Sequence, residues 1–435
     1  MIEKSEREQI IALIKREVVP AIGCTEPIAV ALCVARATEL LGHRPRRINV
    51  WLSANILKNA MGVGIPGTGG MIGLPIAIAL GALVGKSAYQ LEVLKDTTPA
   101  AVEEGKQLID EKIISIALKE QIEEKLYIEV SCEATGHSAT AIISGGHTRF
   151  VFESRDGQVI LDHRTGTHEE DEEKAPELTL RKVFEFADTA PLDEIAFIQE
   201  ARRLNKNAAE QSFKGCYGHE LGRTLRNSDS SHSFLSKFMG NNTFTHILSY
   251  TSGACDARMA GAKIPVMSNS GSGNQGIAAT VPVVVYAEDN HKTEEELTRA
   301  LVLSHLTAIY IKQSLGRLSA LCGCVVAATG SSCGITYLMG GRYEQVSYAV
   351  QNMIATLTGM ICDGAKPSCA LKLTSGVSTA VLSAILAMEQ KCVTPVEGIV
   401  EGNVDRSIRN LTHIGSVGMN ETDKMVLDIM THKQD

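Results

Sequence analysis

The sequence has no run of Lys or Arg, no unbroken apolar stretch of membrane-spanning length, and no glycine-rich loop that ends as a nucleotide-binding loop must. Each absence removes a class of partner. A net charge of −8 and a pI near 5.9 argue against a nucleic-acid footprint, and scattered cations offer nothing to an anionic membrane surface. Three segments, 59–85, 264–287 and 318–341, lack charge for more than twenty residues, and by charge alone each could cross a bilayer. Each is broken by small and polar residues, as in Gly62-Val-Gly-Ile-Pro-Gly-Thr-Gly-Gly70, Ser268-Asn-Ser-Gly-Ser-Gly-Asn-Gln-Gly276 and Gly330-Ser-Ser-Cys-Gly334. That pattern predicts burial together around one site, where uncharged hydrogen-bonding groups can be satisfied but isolated charges are costly. Gly62-Val-Gly-Ile-Pro-Gly lacks the Lys-Ser or Lys-Thr ending of a P-loop, and Pro66 removes an amide donor, so no nucleotide is expected. The expected partner is a small molecule or a second copy of the chain, as a homodimer.

An apolar signal core is missing as well. The chain opens Met1-Ile-Glu-Lys-Ser-Glu-Arg-Glu, charged from the third residue, which predicts no secretory leader, a cytoplasmic location and reduced thiols. Eleven cysteines, an odd number, fit poorly with a full set of disulfides.

What is present is thiol chemistry in unusual settings. Cys362 and Cys369 lie in one turn with Gly364 and Pro367, in Gly359-Met-Ile-Cys-Asp-Gly-Ala-Lys-Pro-Ser-Cys369, where irregular backbone can present both sulfurs together. Cys322, in Leu-Cys-Gly-Cys, would complete three thiolates, the soft set that selects iron–sulfur clusters, zinc or copper, and three ligands leave one metal position open for chemistry. Cys324 and Cys333 share that segment and remain alternative ligands. Cys33 on an apolar helix face, Cys132 alternating with Ile128 and Val130, and Cys392 after a helix read as packing residues.

The fold class predicted is α+β, a mostly α-helical catalytic domain with a small β-sheet domain. The length, 435 residues, allows two or three domains. Residues 1–110 read as a helical N-terminal segment packed on the catalytic domain, with one strand near 47–53; its helices run from Glu6 to Val18 with Ile10, Leu13 and Ile14 on one face, and from after Cys24 to Gly42. Residues 111–175 read as a small sheet domain with strands near 113–118, 126–132, 139–143 and 150–153, closed by the acidic run 168–174 as a solvated loop. His147, in Gly-Gly-His-Thr, reads as a turn residue. Residues 176–435 read as a helical, metal-binding catalytic domain, with 260–263 helical and Pro75 and Pro282 both inside apolar helices.

Gly23-Cys24-Thr25-Glu26-Pro27 is the second strong signal. With Thr25 as N-cap and Pro27 in the first turn, Cys24 would meet the positive end of a helix dipole, which favours a thiolate able to act as base, nucleophile or ligand. The polar side chains Asn55, Asn59, Thr68, Asn269, Asn274 and Gln275 suit a zwitterionic substrate, and Arg258 and Lys58 are cations that could receive its carboxylate.

Taken together, Gly-Cys-Thr-Glu-Pro at 23–27, Pro-Gly-Thr-Gly at 66–69, the Ser-Asn-Ser-Gly-Ser-Gly-Asn-Gln-Gly run, Leu-Cys at 321–322 and Met-Ile-Cys-Asp-Gly-Ala with Ser-Cys at 360–369 resemble the L-cysteine desulfidases, relatives of the α chain of iron–sulfur L-serine dehydratases. The resemblance spans nearly the whole chain in order. It implies a [4Fe–4S] enzyme converting L-cysteine and water to pyruvate, ammonia and hydrogen sulfide, with Cys322, Cys362 and Cys369 holding the cluster and Cys24 as active-site thiol. L-serine dehydration at the same site, and a non-enzymatic cluster- or zinc-holding redox sensor, are the competing expectations.

Overall fold

The structure, a computed structural model, describes residues 2–122, 124–164, 176–226, 238–316 and 319–433. The acidic run 168–174 lies outside them. The fold is α+β: a six-stranded mixed sheet covered by helices, and a larger, mostly helical body that also holds a two-stranded ribbon.

The chain visits the helical body first. The helix Lys4–Glu17 buries Ile10, Leu13 and Ile14 in the same core as Leu180, Phe186 and Leu301, and Pro20–Ala21 then pairs antiparallel with Val266–Met267. At Gly23 the chain crosses over. The helix Thr25–Leu41 is buried against the strands Tyr127–Ala134 and His137–Ser144, and Gly42 ends it in the left-handed region (φ 72°), its N–H reaching Thr38 O at 3.0 Å. The structure therefore divides the 1–110 segment. Residues 4–21 belong to the helical core, whereas most buried residues from Ile28 to Val102 share a core with the sheet, Val63 excepted, which packs with the helical body.

Strand order in the sheet is Ile114–Leu118, Arg47–Leu52, Tyr127–Ala134, His137–Ser144, Phe150–Arg155, Gln158–Asp162; only the first pair is parallel. Arg47–Leu52 sits inside the sheet because alternate residues Ile48, Val50 and Leu52 are buried, each worth about 1.5–3 kcal/mol of hydrophobic transfer. The edge strand Gln158–Asp162 escapes the sequence pattern because Val159 and Ile160 are both exposed. Cys33 and Cys132 lie fully buried in this core, and Cys392 is part-buried against Gln351.

Small residues let the helices of the larger body approach closely: a Cβ on Gly330, in Gly323–Leu338, would lie 2.3 Å from the Ser304 carbonyl of Glu294–Leu315. Pro282 is internal to Gly273–Asp289, but Pro75 occupies the first turn of Leu74–Leu83, where its missing N–H costs nothing. Residues 260–263 are a turn, since the helix Thr243–Met259 stops before Gly261 at φ +78°. One helix among the described residues, Cys369–Met388, is long and apolar enough to cross a membrane by length and composition. It packs on Thr243–Met259, Gly323–Leu338 and Tyr343–Leu357.

Candidate active site

Four helices start at the wall of one half-open cavity of about 120 Å³, and each start carries a polar or thiol residue. Cys24 is the N-cap of Thr25–Leu41, Ser272 that of Gly273–Asp289 and Cys322 that of Gly323–Leu338, while Cys369 is the first residue of Cys369–Met388. Helix starts carry partial positive charge, so their convergence favours thiolates or a carboxylate in the space between them. All three uncharged segments contribute: Asn59 from the first, Gly271 to Gln275 from the second, Ser319 to Cys324 from the third.

A short backbone clasp holds the thiol loops together. Leu321 and Ile361 form an antiparallel bridge, with Cys322 N–H on Met360 O at 2.9 Å and Cys362 N–H on Ala320 O at 2.6 Å. Between Cys362 and Cys369 the turn needs Gly364: its φ is +87°, and a Cβ there would lie 2.2 Å from the Lys58 carbonyl. Cys322, Cys362 and Cys369 therefore line one cavity. Burial pushes the Cys322 thiol up to about 12, with Cys362 adding to it, and burial also raises Cys369. Cys324 lines the cavity too, but its thiol turns to the Lys372 carbonyl at 3.3 Å. Cys333 is fully buried in the helical core, away from the cavity wall.

Cys24 shares the cavity with these thiols. Its own position as N-cap displaces Thr25 from that role; Thr25 is the first helical residue. The thiolate expected from the helix dipole is overruled locally. Burial raises the Cys24 thiol well above its ordinary value, the Glu26 carboxylate adds to this, and Arg258 only partly opposes it. Cys24 Sγ donates to Glu26 Oε2 at 2.9 Å. Burial would by itself raise the Glu26 carboxyl. His147, the hydrogen bond from Cys24 and Arg258 outweigh burial and hold it below the usual range. Glu26, quoted in the motif but given no role there, is thus the ionised partner of Cys24.

Glu26 also faces a second cavity, at the seam of the two bodies, lined by Lys125, Gly145 and His147 from the sheet side and Ser270 and Gly316 from the helical side. His147 does occupy the turn between the strands His137–Ser144 and Phe150–Arg155, and that turn carries it towards Glu26.

The polar residues named from sequence divide into two groups. Asn59, Arg258, Asn274 and Gln275 line the cavity; Asn55, Lys58, Thr68 and Asn269 do not. Lys58 is ion-paired with Asp423, Thr68 donates to Ile65 O at 2.7 Å within its own turn, and Asn55 is a buried residue of the helix Ala54–Ala60. Asn269 donates to His305 Nδ1 at 3.1 Å and His305 O at 3.2 Å, anchoring the Ser-Asn-Ser loop from behind. Arg258 spends its guanidinium on Asn274 Oδ1 and Gly23 O, both at 3.0 Å, beneath Gly273. Lys312, which sequence reasoning missed, also lines the cavity; the one signal was a charge closing the uncharged, mostly apolar stretch Ala300–Ile311. Burial draws its ammonium down to about 8 against the opposing pull of Cys362 and Cys322.

The sequence model of the family described as serine dehydratase alpha chain matches residues 88–428, and the chain belongs to that family. Membership places it among serine dehydratase-like lyases, a family typically associated with iron–sulfur chemistry. It is 77% identical over 434 residues to a UPF0597 protein of Phocaeicola vulgatus, the full length of both chains. UPF0597 proteins of Oleidesulfovibrio alaskensis and Aeromonas hydrophila are 47% and 45% identical, covering 99% of this chain and 99% and 98% of theirs.

Proposed function

We propose that the protein is an iron–sulfur-dependent L-cysteine desulfidase, a β-eliminating lyase that takes L-cysteine and water to pyruvate, ammonia and hydrogen sulfide. The observation that carries this reading is that Cys322, Cys362 and Cys369 line the same cavity as the Cys24–Glu26 pair.

The donor set fits a [4Fe–4S] cluster held by Cys322, Cys362 and Cys369. All three donors are soft thiols on loops or helix starts, and helix N-termini surround them. A single zinc would need its sulfurs within about 4 Å of one another, from Zn–S bonds near 2.3 Å. Among the described residues no three Cys, His, Asp or Glu side chains are gathered as a single ion requires, so the cluster reading rests on the soft donor type and the shared cavity. When bound, the cluster would supply a Lewis-acidic iron for the leaving group.

The chain's own groups handle the protons. Cys24 can take the substrate's α-proton only after its own proton has crossed the 2.9 Å hydrogen bond to Glu26 Oε2, so the two residues work as one base. Asn59 and Gln275 orient the amino acid while the Cα–H and Cβ–S bonds break. Aminoacrylate then tautomerises and hydrolyses without further help.

L-serine dehydration at the same site is the second reading, favoured by the description of the family. Anaerobically purified protein assayed for pyruvate, sulfide and ammonia separates them: faster turnover of L-cysteine supports the desulfidase, and faster turnover of L-serine replaces it. Absence of turnover with both amino acids rules out the lyase and leaves the redox sensor.

A further inference from the structure

Among the described residues three cations line the thiol cavity, and two have hydrogen-bond partners for their heads, although Arg258 keeps its buried Nε without an acceptor. Arg258 bonds Asn274 and Gly23, and Lys372 bonds Ile361 O at 2.8 Å and pairs with Asp363. Lys312 differs. It is 7% exposed, and its ammonium makes no hydrogen bond to any described residue. An ammonium so nearly withdrawn from water, opening only onto the cavity and without an acceptor, is costly for a fold to keep. On the same wall the Gln275 side-chain oxygen is buried without a donor. An unmatched cation and an unmatched acceptor in one cavity are complementary to the carboxylate and ammonium of an α-amino acid.

We propose that Lys312 holds the α-carboxylate of the substrate, so that the site selects α-amino acids over the amines that lack this group. The inference rests on the amino-acid lyase reading and moves carboxylate recognition from Arg258 and Lys58, which are committed elsewhere, to a residue at the end of the helix Glu294–Leu315. Lys312 is a binding residue for the ground state as much as for the transition state, so its loss should appear mainly in KM.

The test compares wild type, Lys312→Met and Lys312→Arg, each as anaerobically purified whole chain, using L-cysteine, cysteamine and the unreactive L-alanine. Lys312→Met should keep its iron, lose L-alanine binding by calorimetry and raise KM for L-cysteine on the order of 100-fold, as loss of a charge-assisted contact requires. Lys312→Arg should recover part of the binding. Equal binding of L-alanine by wild type and Lys312→Met overturns the assignment, as does a wild type that binds L-alanine no better than ethylamine. Loss of iron from Lys312→Met also overturns it, making Lys312 the counter-charge of the thiolates. Lys312-dependent binding of L-alanine in a protein that turns over neither cysteine nor serine would defeat the lyase reading and leave this one standing.

Discussion

Cys24 Sγ donates its proton to Glu26 Oε2 across 2.9 Å, within the first turn of the helix Thr25–Leu41. A buried thiol beside an ionised carboxylate is a poor thiolate, so the pair is expected to act only as a unit. Cys24→Ser and Glu26→Gln should each keep the iron and slow turnover by about two to four orders of magnitude, the range for a lost general base. The double variant should be little slower than either single one, because groups that act as a unit are non-additive. Steady-state kcat on iron-matched samples checks this. Near-normal sulfide release from Glu26→Gln would remove the carboxylate from the relay, and iron loss from Cys24→Ser would make Cys24 a ligand.

His305 gives a prediction about acid stability. It is fully buried between Asn269 and Thr280, and burial draws its imidazole down to about 3. Thr280 Oγ1 donates to Gly276 O, so it must accept from His305 Nε2–H at 2.9 Å, which leaves Nδ1 as the acceptor for Asn269 Nδ2. Protonating Nδ1 would set two donors against each other. The unfolded chain takes up that proton near pH 6.5, the folded one only near pH 3, so stability is full above pH 6.5 and falls through this window by about 1.4 kcal/mol per pH unit. Urea unfolding from pH 7 to pH 4 should show this slope, and His305→Gln should flatten it. An unchanged slope in that variant would assign the acid sensitivity to other groups.

Much of the fold was legible because burial and periodicity agree. Ile48, Val50 and Leu52 alternate and are buried, and Gly42 ends a helix where its φ allows. The division of the N-terminal segment was not legible, since a helix face such as Ile10, Leu13 and Ile14 says that something covers it but not what. At the site, the thiol loops, Cys24 and the Ser-Asn-Ser run stood out as short irregular segments rich in unusual side chains. What sequence could not separate was Asn274, which lines the cavity, from Asn269, which faces His305 five residues earlier. Asn269 lies in the loop and Asn274 in the first turn of the helix Gly273–Asp289, and only the packing around them decides which side each faces. Lys312 was hidden for a related reason: a cation near the end of a helix looks the same whether it reaches solvent or a cavity.

The thiol assignments separate ligation from packing. Cys322→Ala, Cys362→Ala and Cys369→Ala should each abolish iron retention, against about four iron and four acid-labile sulfide per wild-type chain. Cys333→Ala and Cys132→Ala, both fully buried away from the cavity, should keep the iron while losing stability to the small voids they leave. Metal and sulfide analysis on anaerobic samples reads both groups. If Cys324→Ala loses iron and Cys322→Ala keeps it, the ligand lies two residues further along, inside the helix.

Gly364 tests whether the turn between Cys362 and Cys369 is set by its backbone. A side chain there meets two obstacles, a left-handed φ of +87° and the Lys58 carbonyl 2.2 Å from the new Cβ. The first costs about 1–2 kcal/mol for a non-glycine residue, and the second cannot be relieved by a rotamer change because the obstacle is backbone. Gly364→Ala should therefore lose more than about 2 kcal/mol in urea unfolding, or escape that loss by moving the turn and with it Cys362 and Cys369. Either way iron content should fall. Gly359, in the same connection, has no atom within 4 Å of a built Cβ, so Gly359→Ala serves as the control and should match wild type in stability and iron. Should Gly364→Ala behave like Gly359→Ala, the turn is adaptable and the spacing of the two thiols is set elsewhere, by the clasp of Leu321 and Ile361.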